Sequence, residues 1–175
     1  QAKQWPILDA DLYAHEALRA ESQISEKVLL RYGNKIINSS RENDQIINRK
    51  ALAKIVFQNH AEKEWLEATI HPFVNKRIEE ELEKLKSNSV VILIIPLLFE
   101  KNYTYLCSEI CYIDCPRNMQ IKRLQSRDKF NLEEANQRID AQWKSTFKKQ
   151  FADHIITNSN NDETWKMQLK KLYNF

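Results

Sequence analysis

The chain has 175 residues, 42% of them hydrophobic and 29% charged, which suits a globular protein with a core of ordinary size and excludes a disordered one. No apolar run approaches the ~20 residues of a membrane helix, and the first stretch lacks the apolar segment of a secretory signal. The net charge of +3 names no partner by itself.

In chain order, "PILD" (Pro6–Asp9) reads as a short buried strand. It ends on two acids, Asp9 and Asp11, where a helix begins from about Leu12. Gln23 to Tyr32 repeats apolar residues at helical spacing (Ile24, Val28, Leu29, Tyr32) and stops at Gly33, the only glycine of the chain, where a helix needs a left-handed C-terminal residue. Asn48 is the expected N-cap of a third helix with Leu52, Ile55 and Val56 inward. A long stripe follows, Leu66, Ile70, Val74, Ile78, Leu82 and Leu85, interrupted by Pro72, which is expected to break or kink the helix.

"SVVILIIPLLFE" is apolar on both faces and predicts a central strand of a parallel sheet covered by helices. "EICYIDC" and "HIITN" read as further strands. "PRNMQIKRLQSRD", "NLEEANQRIDAQW" and "KSTFKKQFAD" read as the helices between them, with Asn131 and Glu134 as a capping box. A last helix carries Trp165, Leu169 and Leu172, and "NSNND" before it reads as a loop. Strands alternating with helices predict an α/β fold, whose ligands bind beyond the C-terminal ends of the strands. Asp9, Asp11, Pro96 to Glu100, Asp114 and Asn158 fall at such ends.

Cys107, Cys111 and Cys115, an odd number with no secretory signal, indicate a reducing compartment. In an extended strand Cys111 and Cys115 lie ~13 Å apart, too far for a disulfide or one metal ion, so the cysteines are expected as small core residues. Between Arg117 and Lys149 nine lysines and arginines meet four acids. That local excess suits either a solvated helical surface or an anionic ligand. Arg123 and Arg127 share a helix face, with Arg138 on the next helix and Lys144 and Lys148 beyond. Asp11 is either a helix cap or a carboxylate that takes a hydroxyl proton or helps to hold Mg²⁺. His71 with Pro72 is most simply a kink pair, and His15, His60 and His154 have no evident partners.

Seven motifs in order, "LDAD" (8–11), "NRKALAKIVF" (48–57), "WLEATIHPFV" (65–74), "IPLLFE" (95–100), "IKRLQSRD" (121–128), "EEANQRIDAQ" (133–142) and "ADHIITNS" (152–159), resemble the dephospho-coenzyme A kinases. The resemblance implies a P-loop kinase-like parallel sheet flanked by helices, with a helical substrate-binding region at 22–86 and a helical lid at 117–150. It implies transfer of the γ-phosphoryl group of ATP, with Mg²⁺, to the ribose 3′-hydroxyl of dephospho-coenzyme A. Asp11 matches the catalytic base. Asp9, His71, Leu97, Leu98 and Phe99 would belong to the acceptor site. Arg127 and Arg138 would lie near the ATP phosphates, with Arg127 also catalytic, and Asn158 would lie against the adenine. A cytoplasmic monomer without nucleic-acid or membrane partners is expected.

Such a kinase needs the glycine-rich loop G-x-x-x-x-G-K-[ST], which a chain with one glycine cannot contain. The expectation is that roughly 25 further residues, a strand, the loop and a helix at usual lengths, precede Gln1. The alternatives are a degenerate kinase fold that only binds, another nucleoside or nucleotide kinase, and nucleic-acid binding through the basic stretch, against which the scarcity of stacking aromatics there weighs.

Overall fold

The computed structural model describes residues 4–20, 22–37, 46–159 and 163–173. Part of the expected "NSNND" loop, residues 160–162, lies outside them. The chain divides into two units, one from Trp5 to Pro96 and one formed from Leu97 onward.

The first unit opens with β1 (Ile7–Asp9), which runs directly into α1 (Ala10–Ala17). It continues through α2 (Gln23–Tyr32), α3 (Arg49–Gln58) and α4 (His60–Lys84) to β2 (Ile92–Ile94). β1 and β2 are parallel, with Asp9 opposite Ile94 at their C-terminal ends. Each helix start has a local chemical cause: the side chains of Ser22, Asn48 and Asn59 accept backbone N–H groups of the first turns of α2, α3 and α4. Gly33 ends α2 at φ 54°, ψ −137°, positive as expected but outside the left-handed helical basin. No atom lies within 4 Å of where its Cβ would stand, so glycine is required here by backbone conformation and not by space.

The core of this unit is Val28, Tyr32, Ile36, Ile47, Leu52 and Val56, with Leu18, Ile24, Leu29, Ile55, Trp65 and Leu66 packed on it. Ile36 belongs to a 3₁₀ turn, Gly33–Ile36, which helical periodicity did not signal. α4 is not broken at Pro72. Proline there forfeits one backbone bond, and the burial of Ile70, Val74 and Ile78 on both sides of it outweighs that loss.

The second unit starts with the turn 97–102 and a 3₁₀ turn, Tyr103–Leu106, followed by β3 (Cys111–Asp114). Then come α5 (Arg117–Asp128), α6 (Leu132–Asp140), α7 (Ser145–Gln150), β4 (His154–Thr157) and α8 (Thr164–Tyr173). β3 and β4 are parallel, with Asp114 opposite Thr157. The capping box of α6 is present, Asn131 accepting the N–H of Glu134 and Glu134 accepting the N–H of Asn131, both at 2.9 Å. With glycine absent, left-handed backbone falls to Asn102 (φ 57°) and to Lys129 (φ 60°), the C-cap of α5.

The α/β architecture with parallel strands and flanking helices is therefore the expected one. β2 departs from its expected central place. It is three residues long, pairs only with β1 among the described residues, and leaves Ile92 and Ile94 exposed. The cysteines depart too: all three are free and half-buried, not core residues. Cys107 and Cys111 are buried enough to push their thiols above the usual range.

Candidate functional site

Asp9 is the N-cap of α1. Its Oδ1 accepts the N–H of Asp11 at 2.9 Å, so the capping role expected as one option for Asp11 belongs to Asp9. Asp11 sits in the first turn, exposed, and its carboxylate has no partner among the described residues. A carboxylate just beyond a strand end, at a helix N-terminus and not engaged in capping, is available for a proton or a cation. His71 lies half-buried within α4 and is engaged in an interaction of its own.

In the second unit, Leu97, Leu98 and Phe99 form the turn after β2. The N–H groups of Lys101, Asn102 and Tyr103 donate to the carbonyls of Leu97, Phe99 and Leu98. Leu97 and Leu98 are half-buried, whereas Phe99 is buried in an aromatic cluster. It stacks on Trp143 with ring centroids 6.3 Å apart and meets Phe151 at 6.2 Å. Phe99 thus anchors the turn.

Arg127 and Arg138 both act on the Asp128 carboxyl beside the α5–α6 turn. Arg127 donates to both oxygens of Asp128, at 2.9 and 2.7 Å, and Arg138 covers the ring of Phe130 at 5.6 Å. The hydrogen bonds from Arg127 hold the Asp128 carboxyl below its ordinary range, with Arg138 adding to the same effect. Asn158 follows β4 directly. Its N–H donates to the carbonyl of Asp114 at 2.8 Å, and its Oδ1 accepts from Arg123 at 3.1 Å. Arg123 is therefore aimed at the Asn158 loop, and its other nitrogen lies 3.4 Å from the Cys115 sulfur.

The basic segment is less free than its charge count suggests. Arg117 forms a two-pronged bond with Asp140 at 2.6 and 2.9 Å. Lys148 is buried against Glu100, and Lys149 lies 2.6 Å from Asp114. Asp114 also accepts from the Ser145 hydroxyl at 2.7 Å. Its carboxyl is lowered: burial would raise it, and the bonds from Lys149 and Ser145 prevail. Asp114, Arg117, Asp140, Ser145, Lys148 and Lys149 border an open cavity of about 1160 Å³ along β3 and α7, whose lining does not include Arg127, Arg138 or Asn158. Sequence reasoning missed the Arg123–Asn158, Glu100–Lys148 and Asp114–Lys149 contacts, which join positions 35 to 48 residues apart and leave no local pattern. No group of three or more His, Cys, Asp or Glu suited to a metal ion occurs among the described residues.

The family model of dephospho-CoA kinase matches residues 1–163. Over all 175 residues the chain is 81% identical to a dephospho-CoA kinase of Prochlorococcus marinus (strain NATL2A), spanning 82% of that protein. The dephospho-CoA kinase of another Prochlorococcus marinus strain is 49% identical over 158 residues, 90% of this chain and 75% of the relative. Among solved structures, a dephospho-CoA kinase from Campylobacter jejuni superimposes with a TM-score of 0.68 at 30% identity, over 98% of this chain and 84% of that one. A Thermus thermophilus protein does so with a TM-score of 0.75 at 28% identity and the same coverage. With the family model matched over residues 1–163 of the chain and a relative 81% identical across all 175 of them, the chain belongs to the dephospho-CoA kinase family.

Proposed function

We propose that the protein transfers the γ-phosphoryl group of ATP to the ribose 3′-hydroxyl of dephospho-coenzyme A, forming coenzyme A and ADP. The observation that carries the catalytic assignment is the division of labour at the end of β1: Asp9 caps α1, and Asp11 stands exposed beside it. Asp11 takes the proton of the attacking hydroxyl. The oxygen bonds to the γ-phosphorus as the bond to the β-phosphate oxygen breaks, and ADP leaves with that electron pair. Arg127 and Arg138 stabilise the charge on the moving group, which is how this chemistry is mostly accelerated. Asn158, held by Arg123, borders the adenine. Asp9, His71, Leu97 and Leu98 border the acceptor, with Phe99 fixing their turn. Residues 22–86 serve as the acceptor-binding region and 117–150 as the lid.

Mg²⁺ fits this donor set, because in phosphoryl transfer it takes one or two carboxylates and completes its shell with phosphate oxygens and water. Asp9, whose Oδ2 takes no part in the cap, is the carboxylate that would hold it, and the ion would neutralise phosphate charge. The free cysteines favour a reducing compartment, the cytoplasm. No described helix is long and apolar enough to cross a membrane. We take the working unit to be a monomer.

Asp11→Asn in the full-length protein tests the assignment. Because Asp9 carries the cap, melting should stay near that of the wild type. The kcat for coenzyme A formation should fall roughly 10²–10⁴-fold, the range of a positioned acid–base group. Turnover at close to the wild-type rate would show that Asp11 is not the base.

A further inference from the structure

Among the described residues Lys148 is the one lysine that is buried, 5% exposed on a helix of six residues. Its ammonium lies 2.8 Å from Glu100 Oε1 and donates to Gln142 Oε1 at 3.0 Å. The Glu100 side chain is itself nine-tenths buried. The same Oε1 accepts the backbone N–H of Trp143 at 2.8 Å, and Oε2 is buried with no donor among the described residues. Beside this polar knot lies the apolar one, Phe99 stacked on Trp143 with Phe151 against both. Two kinds of contact therefore join the turn Leu97–Glu100 to the segment 141–144, which directly follows α6 and its Arg138. On the far side, Ser145 and Lys149 bind the carboxylate of Asp114 at the end of β3.

A buried ion pair is a weak source of stability, since apolar residues of equal volume fill the same space without the desolvation of two charges. What it supplies is a single geometry: the directed bonds from Lys148, Gln142 and Trp143 admit one arrangement of turn and helix base, where an apolar contact admits several. We propose that Glu100 and Lys148 are positioning residues for phosphoryl transfer. Together they pin the base of α6, and with it Arg138, to the turn that borders the acceptor. This rests on the kinase reading above. The pair touches neither substrate; it acts through the elements it joins.

The test uses the full-length protein with ATP and dephospho-coenzyme A. Lys148→Met and Glu100→Gln should each lower kcat tenfold or more, with KM for ATP changed less than threefold. Lys148→Arg should return kcat to within about threefold of the wild type. Single variants leave one charge buried without its partner and could fail to fold, so the double variant Glu100→Leu/Lys148→Met decides the matter. A folded double variant that stays at least tenfold slow supports the proposal. Wild-type turnover by the double variant, or by a folded Lys148→Met, overturns it. So does a double variant that does not fold, because the pair would then serve the fold alone. A wild type inert in this assay removes the kinase reading and the proposal together, whereas an active wild type with unaffected variants removes only the proposal.

Discussion

Asp9 gives one carboxylate oxygen to the N–H of Asp11, and that bond decides which of the two acids is available for chemistry. The same logic governs Glu62, the hub of a clamp between α2 and α4. It accepts from Arg31 at 2.7 and 3.0 Å and from the Tyr32 hydroxyl at 2.7 Å, while Arg31 lies over the ring of Trp65 at 4.4 Å. The bonds from Arg31 and then Tyr32 hold the Glu62 carboxyl at about 2. Burial, with Glu62 next to it, pushes the Tyr32 hydroxyl up to about 12. For a depressed carboxyl the folded state binds fewer protons than the unfolded one, so the contribution is complete above the ordinary carboxylate range and fades as pH falls from there through about 2. The urea midpoint of the wild type should therefore exceed that of Glu62→Gln at pH 7, and the gap should close between roughly pH 4.5 and 2. A gap that does not change with pH would mean that packing, not charge, holds the clamp.

At the scale of elements, the sequence was most legible where the cause is local. Asn48, the Asn131–Glu134 box and the limits of α2 are all set by groups within a few residues of one another. The 3₁₀ turns at Gly33–Ile36 and Tyr103–Leu106 have too few residues to show a period, and α4 overrode the signal of Pro72 through burial on either side. Arg127 and Arg138, eleven positions apart, both act on the Asp128 carboxyl next to the turn between α5 and α6. If that turn faces the transferring phosphoryl group, Arg127→Ala should lower kcat by ~10²-fold or more. Arg127→Lys should recover only part of it, because a fork becomes a point charge. Lys122, exposed on α5, is the proper control: Lys122→Ala should leave kcat within threefold. Lys149 would be a poor control, since it binds Asp114. Equal losses at Lys122 and Arg127 would indicate diffuse electrostatics and not an aimed guanidinium.

For the molecule as a whole, the strands carry a consequence for the 175-residue polypeptide. β1–β2 and β3–β4 are each two strands wide among the described residues, and Ile92, Ile94, Ile113 and Ile155 are exposed on them. An apolar strand with an unpaired edge presents free N–H and C=O groups on which another chain can pair. The 175-residue polypeptide by itself should therefore self-associate at micromolar concentration, and Ile94→Lys should reduce that association, as read by light scattering. A monodisperse monomer that is indifferent to Ile94→Lys would refute this.

The sequence by itself determined the alternation of strands and helices, their caps, the strand ends where Asp9, Asp11, Asp114 and Asn158 stand, and, through seven motifs in order, the family. These depend on neighbouring residues or on the order of segments, both of which are written along the chain. Only the tertiary structure decided that Asp9 and not Asp11 caps α1, since the two differ in backbone position and not in type. Only it showed that Phe99 is packed against Trp143 and Phe151, that Arg123 is turned to Asn158, and that Lys148 and Lys149 are ion-paired. The physical reason is common to these cases: a side chain's role is set by the partner that folding brings to it, and those partners lie tens of residues away, beyond the reach of any local pattern.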